Sequence, residues 1–302
     1  MKLPRKRRKA APPSSPTRRV LNAAGLPVLE RVDEFGCDTE LSRAWTELTR
    51  PLEGRLSVVI GNECEFFENS FHKPHGVAAI DLAAHPVLTV TGSYGSGKTT
   101  LLRDIALQLA ARHSPEEVRF IILPATELEG VEYGTLPHTL PHTRPLLSLF
   151  EGWRESLLHV RDEILRRRIL FAELGVANIR QARISGVSVP EIVVFADMGD
   201  VLLREDNTYA RICAKILLNA IDVGEEFGVR FVAAASYLNT HRATVGAFKF
   251  KPHSAHIAMS ADTAGLGAMD VGGVKTSFQS YLTHANTVIA LAPRIREKWG
   301  SK

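Results

Sequence analysis

The chain has 302 residues, 45% hydrophobic and 23% charged, enough apolar content to bury a core and too much for a disordered polypeptide. No apolar run reaches the ~18–20 residues that span a bilayer, and Cys37, Cys64 and Cys213 are few, scattered and without C-x-x-C spacing, which argues against a membrane helix, a disulfide framework and a zinc or redox centre. The formal charge of +4 is uneven: residues 1–19 hold eight Lys and Arg and no acid, so the remainder is net −4.

Taken in chain order, residues 1–19 form a basic, Pro- and Ser-rich tail expected to be disordered. Two roles stay open for it: a non-specific contact to nucleic acid or another anionic surface, and a solubilising arm. The tail has no hydrophobic signal-peptide stretch, so a cytoplasmic location is expected. Residues 20–76 read as a lead-in. Leu41, Trp45, Leu48 and Leu52 fall at roughly helical spacing after an N-cap at Asp38 or Thr39, and residues 51–54 close that helix. Residues 56–60 and 77–80 read as strands on either side of a polar stretch whose His72 and His75 are surface loop residues.

The organising stretch comes next. Residues 86–91 are apolar and β-branched, as a buried parallel strand is, and Leu101, Leu102, Ile105 and Leu109 mark a helix over 99–113. Between them, Gly92-Ser93-Tyr94-Gly95-Ser96-Gly97-Lys98-Thr99 satisfies G-x-x-x-x-G-K-[ST], the phosphate-binding loop. Glycines let successive backbone N–H groups turn toward phosphate oxygens, and the helix N-terminus adds partial positive charge. Lys98 then holds the β- and γ-phosphates of ATP and the Thr99 hydroxyl ligates Mg²⁺, with Thr100 completing the binding set.

Beyond the loop, residues 118–123 read as a second buried strand. Residues 125–148 are rich in Pro, Gly, Thr and His; the prolines beside His138 and His142 prevent the helix that would bring the pair to one metal. The longest helix, 150–174, turns Trp153, Leu157, Ile164 and Phe171 inward and the pairs Asp162/Arg166 and Glu163/Arg167 outward, so that Arg166, Arg167 and Arg168 form a solvated face. The strand 191–196 runs into Asp197, whose carboxylate orients the Mg²⁺ shell; Met198 and Asp200 follow. A helix at 209–227 precedes a small-residue strand, 229–235, tipped by Ser236, a candidate sensor of the γ-phosphate. Residues 255–260 and 287–292 read as late strands. Strands alternating with helices predict an α/β fold with a mostly parallel sheet covered on both faces, and ligands at the strands' C-terminal edge.

Several stretches resemble the FtsK/SpoIIIE family of RecA-like P-loop motor ATPases over residues 77–273. They are Leu123-Pro124-Ala125-Thr126-Glu127-Leu128 with Tyr133 and Leu136-Pro137-His138, the helix end from Arg167 to Ile179, and the stretch from Glu225 to Ser236. The resemblance implies a P-loop ATPase domain over 77–302 and a homo-oligomer, a hexameric ring, that uses ATP to move double-stranded DNA or, in secretion systems, a protein substrate, beside a membrane-anchored partner. It also marks departures. The acidic residue that follows the Walker B aspartate is Met198, a thioether that cannot orient water by charge, leaving Asp200 as the nearest catalytic candidate beside Asp197. The family's Asp and Lys are Leu123 and Ala125, and an expected arginine is His256. A translocase and a degenerate ATP-binding module that regulates a partner motor therefore both stand as expectations. A small-molecule kinase lacks a recognisable Arg-rich lid.

Overall fold

A computed structural model of the chain describes residues 38–64, 66–67, 70–71, 76–126, 130–140, 149–197, 208–236 and 253–300. The tail 1–19, His72, His75, His142, Met198 and Asp200 lie outside the described residues. In chain order the first elements are α1 (Asp38–Leu48), β1 (Ser57–Glu63), the short hairpin β2 (Phe66–Phe67) and β3 (Ser70–Phe71), β4 (Val77–Asp81) and β5 (Val87–Thr91). There follow α2 (Lys98–Arg112), β6 (Val118–Leu123), a 3₁₀ turn (Val131–Thr135), α3 (Leu149–Glu173), α4 (Ile179–Ile184) and β7 (Glu191–Asp197). The last are α5 (Thr208–Gly224), β8 (Val229–Ala235), β9 (Ala255–Met259), β10 (Leu266–Val271), β11 (Val274–Ser280) and α6 (Ala285–Trp299).

Nine strands make one sheet in the order β4-β1-β11-β10-β9-β5-β8-β7-β6. From β9 to β6 all neighbours run parallel. The expected parallel sheet is therefore five strands wide, and it continues into β10, β11, β1 and β4, which pair antiparallel. Every residue of β5 and β8 is buried, the pattern of strands covered on both faces. Alternate residues enter two separate cores. Leu88, Val90, Ile122, Phe195 and Val232 pack toward α2 and α6, while Val87, Ile121, Val194, Phe231 and Ala233 pack toward α3 and α5.

The helix after the phosphate loop has no solvent face to speak of: between Leu101 and Ala111 only Arg103 escapes burial. Its inward polar groups are paired. Thr283 Oγ1 and Gln108 Nε2 each donate to Asp104 at 2.7 Å, and Gln108 bridges the main chain of Val59. Its C-terminal carbonyls are capped from α6, where Lys298 Nζ donates to Ala111 O and the Trp299 indole to Ala110 O, a cation and a donor where the helix presents negative charge.

Three local readings change. Residues 287–292 are helical, not extended: the apolar run suits a strand, but Val288, Leu291, Ala292 and Ile295 are buried at helical spacing. On α3, Arg167 is fully buried instead of solvated, donating to Glu163 Oε1 and Phe227 O, and Arg166 pairs with Glu163 while Asp162 takes Arg161. The hairpin β10–β11 goes unread in the sequence although Gly272-Gly273 marks it; these glycines adopt φ of 61° and 88°, the left-handed pair that a two-residue hairpin turn requires.

Candidate functional site

The phosphate loop joins the C-terminal end of β5 to the first turn of α2. Gly97 takes φ 101° at the helix N-cap, a conformation that strains any side chain. A Cβ on Gly92 would meet Ser96 Oγ at 2.5 Å and Met259 Cβ at 2.8 Å, so the loop closes only with glycine there. Neighbouring strands hold it from two sides: Gly92 N donates to Ala235 O at the tip of β8, and Gly265 N, after β9, donates to Ser96 O. Lys98 Nζ donates to Gly92 O and Ser93 O at 3.0 and 2.8 Å, which folds the ammonium over the loop. Burial lowers the Lys98 pKa, and the Asp197 carboxylate opposes that shift.

Thr99 opens α2 and Asp197 ends β7, 98 positions apart in sequence, yet Thr99 Oγ1 donates to Asp197 Oδ2 at 2.5 Å. Strand β8 lies between β5 and β7, so its tip, Ser236, falls at the same sheet edge. The donor set suits a nucleotide with Mg²⁺: a hydroxyl and a carboxylate in contact, an ammonium, a left-handed glycine at a helix N-terminus, and the Ser93 and Ser96 hydroxyls, which are buried without a hydrogen-bond partner among the described residues.

The sequence model of the FtsK/SpoIIIE family matches residues 66–261. The chain belongs to the FtsK/SpoIIIE family. It is 30% identical over 154 residues to the DNA translocase FtsK of Streptococcus pneumoniae, covering 45% of this chain and 20% of that protein. With the DNA translocase FtsK of Haemophilus influenzae it shares 36% identity over 100 residues, 33% of this chain and 18% of the relative. The chain thus spans about a fifth of the length of these curated relatives. Among solved structures, EssC (ATPases 2 and 3) from Geobacillus thermodenitrificans superposes with a TM-score of 0.66 at 17% identity, covering 83% of this chain and 51% of that one. The conjugation coupling protein TcpA of pCW3, solved as a monomer with ATPγS, gives 0.62 at 16% identity, covering 91% and 75%. These likenesses are of fold, the RecA-like P-loop ATPase fold.

Against the FtsK/SpoIIIE pattern, the structure brings together residues 92–100, Asp197 and Ser236, while Met198 and Asp200 fall outside the described residues. His256, at the position of the expected arginine, lies on β9 beside the phosphate-loop strand, its Nδ1 2.8 Å from Thr89 Oγ1 and its Nε2 3.3 Å from Thr91 Oγ1. One pair escaped the sequence reading. Arg103 and Glu132, at 18% and 5% side-chain exposure, form an ion pair at 2.5 Å beside Thr99. Separated by 29 residues in no recognised spacing, they left no signal beyond the position of Arg103 one helical turn after Thr99.

Proposed function

We propose that this chain is an ATP-driven motor domain that binds MgATP on residues 92–100, Asp197 and Ser236, hydrolyses it, assembles as a hexameric ring and moves double-stranded DNA in the cytoplasm. The observation that carries the reading is the Thr99–Asp197 contact at 2.5 Å, together with the Lys98 ammonium held on the loop carbonyls. When bound, Mg²⁺ neutralises charge building on the transferring phosphate. The chain's own part is to hold: loop amides and Lys98 fix the phosphates, Thr99 and Asp197 fix the cation and its waters, and Ser236 reads the γ-phosphate. DNA is favoured as substrate by the curated relatives, named DNA translocases, and by the eight cations of residues 1–19.

A second reading rests on Met198: without a carboxylate after Asp197, the domain binds ATP and regulates a partner motor without turning over. Steady-state ATP hydrolysis with and without duplex DNA, beside Lys98→Ala, separates the two. DNA-stimulated turnover that disappears in Lys98→Ala supports the motor. Tight ATP binding with no turnover supports the regulator, and absence of ATP binding overturns both.

A further inference from the structure

We propose that Glu132 positions the attacking water during ATP hydrolysis in this chain, the task that Met198 cannot perform; the proposal rests on the hydrolytic reading above. Glu132 sits in the 3₁₀ turn that follows β6 and is 4% exposed. Together with Thr99 and Asp197 it lines one small recess of about 20 Å³, room on the order of a single water, walled by Ile122, Tyr133 and Phe195. A carboxylate is costly to bury unless its oxygens are paired. Arg103 Nε donates to Oε1 at 2.5 Å, and among the described residues this is the one hydrogen bond the carboxylate receives, so Oε2 accepts none from them.

The surroundings hold that oxygen in place. Arg103 lies four residues after Thr99 on the same face of α2, so the helix that presents the Thr99 hydroxyl also presents the guanidinium. The turn is fixed by Thr135 Oγ1 donating to Glu132 O at 2.6 Å and by Tyr133 N donating to Gly130 O at 3.1 Å. Arg103 Nε holds Oε1, and a carboxylate only accepts hydrogen bonds. A water in the recess therefore turns an O–H toward Oε2 and leaves a lone pair for attack. The water oxygen bonds to the γ-phosphorus as the bond to the β,γ-bridging oxygen breaks and its electron pair leaves on ADP. The proton held at Oε2 departs with the released phosphate, so the carboxylate ends as it began.

The test compares wild type, Glu132→Gln and the double variant Arg103→Gln/Glu132→Gln in the full chain. Four quantities are read: single-turnover hydrolysis, affinity for a fluorescent ATP analogue, trapping of ADP by aluminium fluoride, and melting temperature. Trapping reports the organised in-line water position without turnover. Both variants are expected to hydrolyse about 10²-fold more slowly and to trap ADP–aluminium fluoride correspondingly less, with ATP affinity within about twofold. In the double variant the neutral amide pair replaces the ion pair and restores the wild-type melting temperature, while turnover stays low. Recovery of turnover together with stability in the double variant would reduce Glu132 to an anchor and overturn the proposal, as would a Glu132→Gln variant that hydrolyses and traps like wild type. Both outcomes leave the motor reading standing. A wild-type chain that binds ATP but neither hydrolyses it nor traps ADP sinks the motor reading, and the role of Glu132 with it.

Discussion

Lys98 combines two opposed demands: burial disfavours its charge, and Asp197 and the loop carbonyls favour it. Because it sits at the first position of α2 and belongs to neither core, Lys98→Ala is expected to weaken ATP binding by roughly 10- to 100-fold, the value of charge-assisted hydrogen bonds, with little change in melting temperature. Calorimetric titration and a melting curve on the same sample check this, and a variant that keeps wild-type affinity removes the phosphate-loop assignment. His138 is the second informative residue. Its Nε2 donates to His113 O at 2.7 Å, its Nδ1 is buried without a partner among the described residues, and burial lowers its pKa to about 4. The unfolded chain therefore binds a proton between pH 6.5 and about 4 that the folded chain refuses. Stability is complete above pH 6.5 and falls as pH drops through that window. His138→Gln, which keeps a donor toward His113 O, is expected to remove this component from a chemical-denaturation series over pH 4–7; an unchanged slope would exclude His138 as its source.

At the scale of elements, the buried Arg167 joins α3 to the turn before β8 through Phe227 O, and Arg168 stacks its guanidinium 5.5 Å from the Phe227 ring centroid. Burial alone would raise the Glu163 pKa, but hydrogen bonds from Arg166 and Arg167 outweigh it and hold the carboxyl at about 2. The stability this supplies is present above the ordinary carboxylate pKa and is lost as pH falls from about 4.5 toward 2, a step below that of His138. Arg167→Met leaves Glu163 with the exposed Arg166 alone and Phe227 O without its donor, and is expected to cost about 3–5 kcal/mol, as breaking a buried pair does. A urea midpoint indistinguishable from wild type would mean that the helix repacks around methionine. Arg167 was read as solvated because a run of three arginines at i, i+1 and i+2 covers nearly the whole girdle of a helix. Which member points inward depends on where β8 lies, and periodicity of charge cannot say.

On the whole molecule, charge separates the tail from the domain. Deleting residues 1–19 removes eight cations from a chain whose remainder is net −4, so duplex DNA binding is expected to weaken and its dependence on salt concentration to flatten. Filter binding or fluorescence anisotropy over a salt series measures the slope. An unchanged slope would show that the remainder carries a basic track of its own. The nine-stranded sheet also ties together the regions before and after the phosphate loop, since β1, ahead of the loop, pairs with β11, well after it. Among the described residues no helix is long and apolar enough to cross a membrane.

The sequence by itself determined the phosphate loop, the buried parallel strands and the Asp197 end of β7. Each depends on neighbours in the chain: glycines at fixed offsets, β-branched runs, an acid after an apolar strand. It also carried enough of the family's pattern, from Tyr133 through Asn178 to Gly228, to place the domain in the FtsK/SpoIIIE family. Only the tertiary structure decided that Thr99 touches Asp197, that residues 287–292 coil into α6, that Gly272 and Gly273 close a hairpin extending the sheet, and that Glu132 enters the site with Arg103. Each of those outcomes depends on which face a residue buries against an element far away in sequence. Local spacing leaves that choice open until the sheet order has put β8 between β5 and β7 and wrapped α6 against α2.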